Sequence, residues 1–182
     1  MTHNPTVLIV DDSPVNIRFL EAIFVKEGFD VLKANRGSAG RALARTCAPD
    51  LILLDIIMPE ESGFDTCSAL KADPVTTDIP VIFITALTDV EEKMKGFALG
   101  AVDYITKPFD RGEVLARARV HIKLWAAHAA MIEEQSARLR QLREAQQAIL
   151  VRAEDCPAAR FSVFYKPFHE VYVVYSLMWC YS

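Results

Sequence analysis

The sequence has no run approaching the ~18 consecutive apolar residues that a membrane-spanning helix needs. Its first residues, Met1-Thr2-His3-Asn4-Pro5, lack the basic segment and apolar core of a secretory signal. A cytoplasmic protein with no membrane partner is therefore expected. Positive charge is also scarce. Against 24 Asp and Glu stand only 20 Lys and Arg in 182 residues, a formal net charge of −4, which leaves no electrostatic footprint for nucleic acid. Cysteine is thin and unpatterned: Cys47, Cys67, Cys156 and Cys180 form no C-x-x-C pair and no metal-ligand spacing. Reduced structural thiols are expected, two of them in packed helices. Between Gly112 and Ala153 proline and glycine are absent altogether, and there is no internal repeat or low-complexity segment.

The chain is instead rich in short apolar runs. Leu51-Ile52-Leu53-Leu54 shows no amphipathic alternation, the pattern of a strand buried on both faces of a parallel sheet, and it ends in Asp55. Thr6 to Val10 is a second such run and ends in Asp11 and Asp12. Val81-Ile82-Phe83-Ile84 is closed by Thr85, Val102 to Ile105 leads into Thr106-Lys107-Pro108-Phe109, and Val31-Leu32 is a shorter strand. Helical spacing fills the intervals. Ser13-Pro14 reads as an N-cap with proline at the first helical position, followed by Ile17, Leu20, Ile23 and Phe24, with Gly28 as the stop. Further helices are predicted over Ser38–Cys47, Phe64–Ala72 and Val90–Leu99, the last with Gly100 as a left-handed cap, and another begins near Arg111. Five strands alternating with helices predict an α/β fold, a doubly wound five-stranded parallel sheet over residues 5–123.

In such a sheet, ligands bind outside the carboxyl ends of the strands. Asp11, Asp12, Asp55, Thr85 and Lys107 all fall there. Three crowded carboxylates raise one another's pKa unless a cation sits among them. A hard, oxygen-preferring ion, most naturally Mg²⁺, resolves this and works with phosphate oxygens as its remaining ligands. Thr85 can then donate a hydrogen bond to a phosphoryl group, Lys107 can neutralise it, and Asp55 is placed as the in-line nucleophile that forms an acyl phosphate. Each residue alone has an ordinary explanation. Asp55 could start a turn, Thr85 could be a cap, Lys107 could be solvated, and Asp11-Asp12 could complement a helix dipole. Their joint occurrence on four strand ends makes the signal specific.

At these residues the sequence resembles the response-regulator receiver family of two-component signalling, through VLIVDDSPVN, PDLILLDIIMPEESGFD, IPVIFITAL and GAVDYITKPF. The resemblance implies a receiver (flavodoxin-like) fold whose Asp55 is phosphorylated by a cognate histidine kinase, a signalling switch and not an enzyme. It implies that Asp12 binds Mg²⁺ directly, that Asp11 supports the site, and that Asp55 and the backbone carbonyl of Ile57 complete the protein ligands. It further implies that Thr85 and Tyr104 form a switch pair, and that the Lys107-Pro108 bond is cis. Pro59 and Gly63 match the family's loop after the phosphoacceptor. A phosphohydrolase of the haloacid-dehalogenase kind uses similar groups, but in an Asp-x-Asp after the first strand, where this chain has adjacent Asp11-Asp12. A dimeric scaffold that never accepts phosphate is the remaining alternative, and the intact site speaks against it.

Beyond the domain, Leu115, Ala118, Ile122, Trp125, Ala129 and Ile132 recur in steps of three and four, and Leu139, Leu142 and Ile149 resume after a phase slip near Gln135-Ser136. This predicts a long helix over 112–155, continuous with the last domain helix, and a homodimeric coiled coil through residues 112–153. Parallel and antiparallel pairing both stay open. Residues 157–182 form an aromatic-rich tail with strand-like Phe161–Tyr165 and Val171–Tyr175. The stretch AQQAILVRAEDCPAARFSVFYKPFHEV is similar to the entry of PPM-type phosphatase domains, but the metal-binding Gly-Gly-Asp that should follow is absent. That implies a fragment without phosphatase activity, from truncation or a disrupted reading frame.

Overall fold

The computed structural model describes residues 4–86, 90–154, 162–165 and 171–174. The chain divides into two compact units, Met1–Ala130 and Met131–Ser182. In the first, β1 (Thr6–Val10), β2 (Asp30–Ala34), β3 (Leu51–Asp55), β4 (Val81–Thr85) and β5 (Asp103–Thr106) pair in parallel in the order β2-β1-β3-β4-β5. Between them lie α1 (Pro14–Lys26), α2 (Gly37–Cys47), α3 (Gly63–Ala72) and α4 (Val90–Ala98), and α5 (Arg111–Glu154) follows β5.

The uninterrupted apolar runs are buried on both faces, as their lack of alternation requires. Leu8, Val10, Ile52, Leu54 and Phe83 form one layer with Ala44 of α2 and Phe64, Cys67 and Leu70 of α3. Val7, Ile9, Leu51, Leu53, Ile82, Ile84 and Ile105 form the other with Leu20, Ile23 and Phe24 of α1 and Val114, Leu115, Ala118 and Ile122 of α5. Truncating a fully buried leucine such as Leu53 to alanine costs about 2–5 kcal/mol.

Local chemistry sets the helix starts. Ser13 is the α1 N-cap, its side chain accepting from the Asn16 N–H, with Pro14 the first helical residue. Ser62 caps α3, accepting from the Asp65 N–H at 3.2 Å. The α2 helix begins at Gly37, one residue ahead of the expected Ser38, from an Arg36 cap that makes no side-chain bond. Gly100 takes φ 93°, as its predicted capping role requires.

The sequence stripe on α5 needs correction. Its first three members, Leu115, Ala118 and Ile122, are buried against the domain's own sheet, so they are not free to pair with another helix. The later members Ile132, Leu139 and Leu142 are exposed. Cys67 is buried, and desolvation pushes its thiol up to about 11; Cys47, expected in a packed position, is exposed near the end of α2. Cys156 and Cys180 lie outside the described residues. In the second unit, β6 (Ser162–Tyr165) and β7 (Val171–Val174) pair antiparallel as a two-stranded sheet. No described helix is long and apolar enough to cross a membrane.

Two carboxylates fix the first turns of α5. Glu27, just after α1, accepts from Arg111 and Arg119. On β5, Asp103 accepts two hydrogen bonds from Arg117 at 2.8 and 2.9 Å and contacts His121 at 3.2 Å. Burial works to raise the Asp103 pKa, but Arg117, the Tyr104 N–H and His121 together outweigh it and hold the carboxyl below its ordinary value. A depressed carboxylate contributes stability above its unfolded pKa and loses it as pH falls through the folded one. Asp103→Asn should therefore cost about 1–3 kcal/mol at pH 7. Urea titrations should show that gap closing below about pH 4, and a gap that persists there would refute the assignment.

Candidate functional site

The parallel register lines the expected residues along one edge of the sheet. Val10 pairs with Leu54, so Asp11 and Asp55 follow at neighbouring positions. Asp55 pairs with Ile84 and Thr85 with Thr106, and Lys107 comes next. The Lys107 ammonium donates to Asp55 Oδ2 at 2.7 Å and to Asp11 Oδ2 at 3.2 Å. Asp11 is fully buried; its oxygens also accept from the Ser13 N–H at 2.8 Å and from Asn16 Nδ2 at 3.0 and 2.9 Å. Asp12 is exposed. One carboxylate oxygen from each of Asp11, Asp12 and Asp55 lies within 4.8 Å of the others, a group that could hold a metal ion.

The electrostatics follow from that crowding. Burial is the largest influence on Asp55 and raises its pKa; Asp11 adds to the rise, while Lys107 and the Ile57 N–H oppose it without cancelling it. Burial works to lower the Lys107 pKa, but its bonds and charge contacts with Asp55 and Asp11 prevail and raise it. The Ile57 N–H reaches Asp55 Oδ1 at 3.4 Å, and Ile57 is largely exposed. The set presents hard oxygen donors beside a fixed cation, which suits a divalent metal and an oxyanion together.

Thr85 is buried at the end of β4, and its carbonyl accepts from the Lys107 N–H at 2.8 Å. The Lys107-Pro108 bond is cis. Tyr104 is turned inward and buried, its ring 5.4 Å from Phe83 and 5.0 Å from Phe97. Gly96 makes room for it. A Cβ at that position would lie 1.6 Å from the Tyr104 hydroxyl oxygen and 2.9 Å from Phe83. Sequence reasoning singled out neither Gly96 nor Asn16. Asn16 stands inside the VDDSPVN stretch, five residues after Asp11, and that spacing across a capped helix start was the available signal. Nothing in the sequence marks Gly96, because its partner Tyr104 belongs to another element.

A family model described as "Response regulator receiver domain" matches residues 7–119. Among curated proteins, the DNA-binding dual master transcriptional regulator RpaA of Synechocystis is 44% identical over 119 residues, covering 65% of this chain and 49% of that protein. Protein PilH of Pseudomonas aeruginosa is 45% identical over 109 residues, 60% of this chain and 90% of that protein. Response regulator PleD of Caulobacter vibrioides is 43% identical over 113 residues, 62% of this chain but 25% of that protein. The chain thus spans about half of RpaA and a quarter of PleD. Among solved structures, the Francisella response regulator 1452 receiver domain aligns with a TM-score of 0.62 at 32% identity, covering 66% of this chain and 98% of that one. A response regulator receiver protein from Pseudomonas putida aligns at 0.60 and 31% identity, covering 64% and 96%.

Two stability outcomes follow from this geometry. A carboxylate with a raised pKa destabilises the fold once pH exceeds its unfolded value, so Asp55→Asn should raise the melting temperature at pH 7 in EDTA. That advantage should shrink as pH falls through the raised folded pKa and be gone by about pH 4, the unfolded value; a variant that melts lower at pH 7 would overturn the reading. Gly96→Ala would ordinarily favour a helix by about 1 kcal/mol, yet here the overlap with Tyr104 should cost about 1–3 kcal/mol. Denaturant titration decides the sign.

Proposed function

The chain belongs to the response regulator receiver family, and from that premise we propose that Asp55 accepts a phosphoryl group from a partner histidine kinase. The observation that carries this is the Lys107 ammonium held between Asp55 and Asp11, at 2.7 and 3.2 Å, beside the three-carboxylate group. In the transfer, a bond forms from an Asp55 oxygen to phosphorus as the phosphorus–nitrogen bond of the phosphohistidine breaks. The histidine nitrogen keeps the electron pair, and the product is an acyl phosphate.

Asp12, Asp55 and the backbone carbonyl of Ile57 would hold Mg²⁺, and the donor chemistry fits, since all are hard oxygens. The ion supplies positive charge to the phosphoryl oxygens. Asp11, saturated by Ser13, Asn16 and Lys107, supports the site from behind. Lys107 trades part of its contact with Asp55 for the incoming oxyanion. An apolar cleft of about 520 Å³ lined by Val15, Asn16, Phe19, Lys107, Pro108 and Phe109 includes a residue of the site itself, which suits it to seat the phosphodonor. Thr85 then turns its hydroxyl to the phosphoryl group, and Tyr104 holds its inward position against Phe83 and Phe97.

Output passes along β5 into α5. A homodimer through residues 112–153 would draw on the exposed Ile132, Leu139 and Leu142, since the earlier stripe is occupied by the sheet. The tail, residues 157–182, is read as the start of a PPM-type phosphatase domain without its Gly-Gly-Asp.

Incubation with acetyl phosphate and Mg²⁺ should add one labile phosphoryl group to the wild type and none to Asp55→Asn, measured by intact mass. A folded wild type that gains no mass from acetyl phosphate or from any kinase would favour the scaffold. Mg²⁺ at one hundred times its Kd should stabilise the wild type by about 2.7 kcal/mol, and Asp12→Asn should lose most of that gain.

A further inference from the structure

The loop between β3 and α3, residues 56–62, carries Ile57, whose N–H contacts Asp55. Its ends are tied by the backbone. The Gly63 N–H donates to the Ile56 carbonyl at 2.8 Å, and a Cβ at Gly63 would fall 2.2 Å from the Asp55 carbonyl oxygen. Its middle adopts a costly conformation, with Glu60 left-handed at φ 69°, a region where a residue with a Cβ is uncommon. The Glu61 N–H donates to the Pro59 carbonyl at 2.8 Å, a bond that closes a turn within the loop and reaches nothing outside it.

What ties that middle to the rest of the domain is the Glu61 side chain. Its Oε1 accepts from Arg41 Nη1 on α2 and from the Thr66 hydroxyl on α3, the latter at 3.1 Å. Thr66 is fully buried, and the Arg41 and Glu61 side chains are 34% and 25% exposed. A pair this sheltered is screened less than a surface ion pair, and the buried hydroxyl would be left without this acceptor if the carboxylate were removed. Two helices thus converge on one oxygen, and through it on the loop that includes Ile57.

We propose that Arg41 and Thr66, acting through Glu61, are positioning residues that set the affinity of the acidic site for a divalent cation. This rests on the phosphoacceptor reading, in which the Ile57 carbonyl completes the ligands. Partners that orient metal ligands without touching the ion commonly govern affinity by about 10–100-fold. Glu61 would otherwise pass for a solvated loop charge.

The test is Mg²⁺ binding to the full chain by isothermal titration calorimetry, with exchange of the Ile57 amide as a second readout. Glu61→Gln, nearly isosteric, and Arg41→Ala should each weaken Mg²⁺ about 10-fold and speed exchange at Ile57. Arg41→Lys should recover part of the affinity, and circular dichroism should show all three folded. Variants that melt earlier yet bind Mg²⁺ within about twofold of wild type would reduce the cluster to a structural brace and overturn the proposal. A wild type that takes up no Mg²⁺ would overturn the phosphoacceptor reading and this proposal with it, whereas normal binding with unchanged variants sinks this proposal alone.

Discussion

The contact on which the rest depends is the Lys107 ammonium between Asp55 and Asp11. Both carboxylates sit on the ends of rigid, buried strands, and both are almost wholly withdrawn from water. Two carboxylates this close repel each other, and the ammonium between them offsets that repulsion. Lys107 arrives from β5, across β4 from Asp55, so one side chain ties the ends of three strands. Removing the ammonium would leave two buried carboxylates facing each other uncompensated, at about 3–5 kcal/mol for a broken buried pair. Even with Lys107 in place the balance is incomplete, and Asp55 keeps a raised pKa.

A second aspartate makes the contrast plain. Asp103 starts β5 at the opposite end of the sheet from Lys107, and its surroundings satisfy it: Arg117, His121 and a backbone N–H hold its pKa down. One carboxylate is settled and one is frustrated. The settled one locks α5 to the sheet, while the frustrated one retains a demand for positive charge that protein groups alone leave unmet. Strand β5 links the two, since Asp103 is followed directly by Tyr104 and, four residues after Asp103, by Lys107, which reaches Asp55.

Most of the domain was legible because strands buried on both faces advertise themselves as unbroken apolar runs, and their carboxyl ends then name the site. Asp11, Asp12, Asp55, Thr85 and Lys107 were singled out that way as candidates, and the register brings them to one edge. What stayed hidden depends on distant elements meeting. Glu61 gains its meaning from Arg41, twenty positions away on α2, and Gly96 from Tyr104 on β5. The left-handed Ala48 and Glu60 carry no glycine signal. The α5 stripe was misread in part for a related reason. Periodicity reports that a helix face is apolar, not whether the surface opposite belongs to the same chain, and Leu115, Ala118 and Ile122 proved to face their own sheet.

The point at which α5 stops contributing to the core has an evolutionary reading. Among the described residues its last buried apolar residue is Ile122, close to residue 119 where the family match ends. The described core clusters are complete by then, while the helix continues to Glu154. Sequence added beyond that turn leaves the packing of the sheet untouched, because the helix residues that pack on it lie before the turn. A region of the same size makes up nine-tenths of PilH, half of RpaA and a quarter of PleD. In those relatives a region of one size is joined to very different lengths of chain.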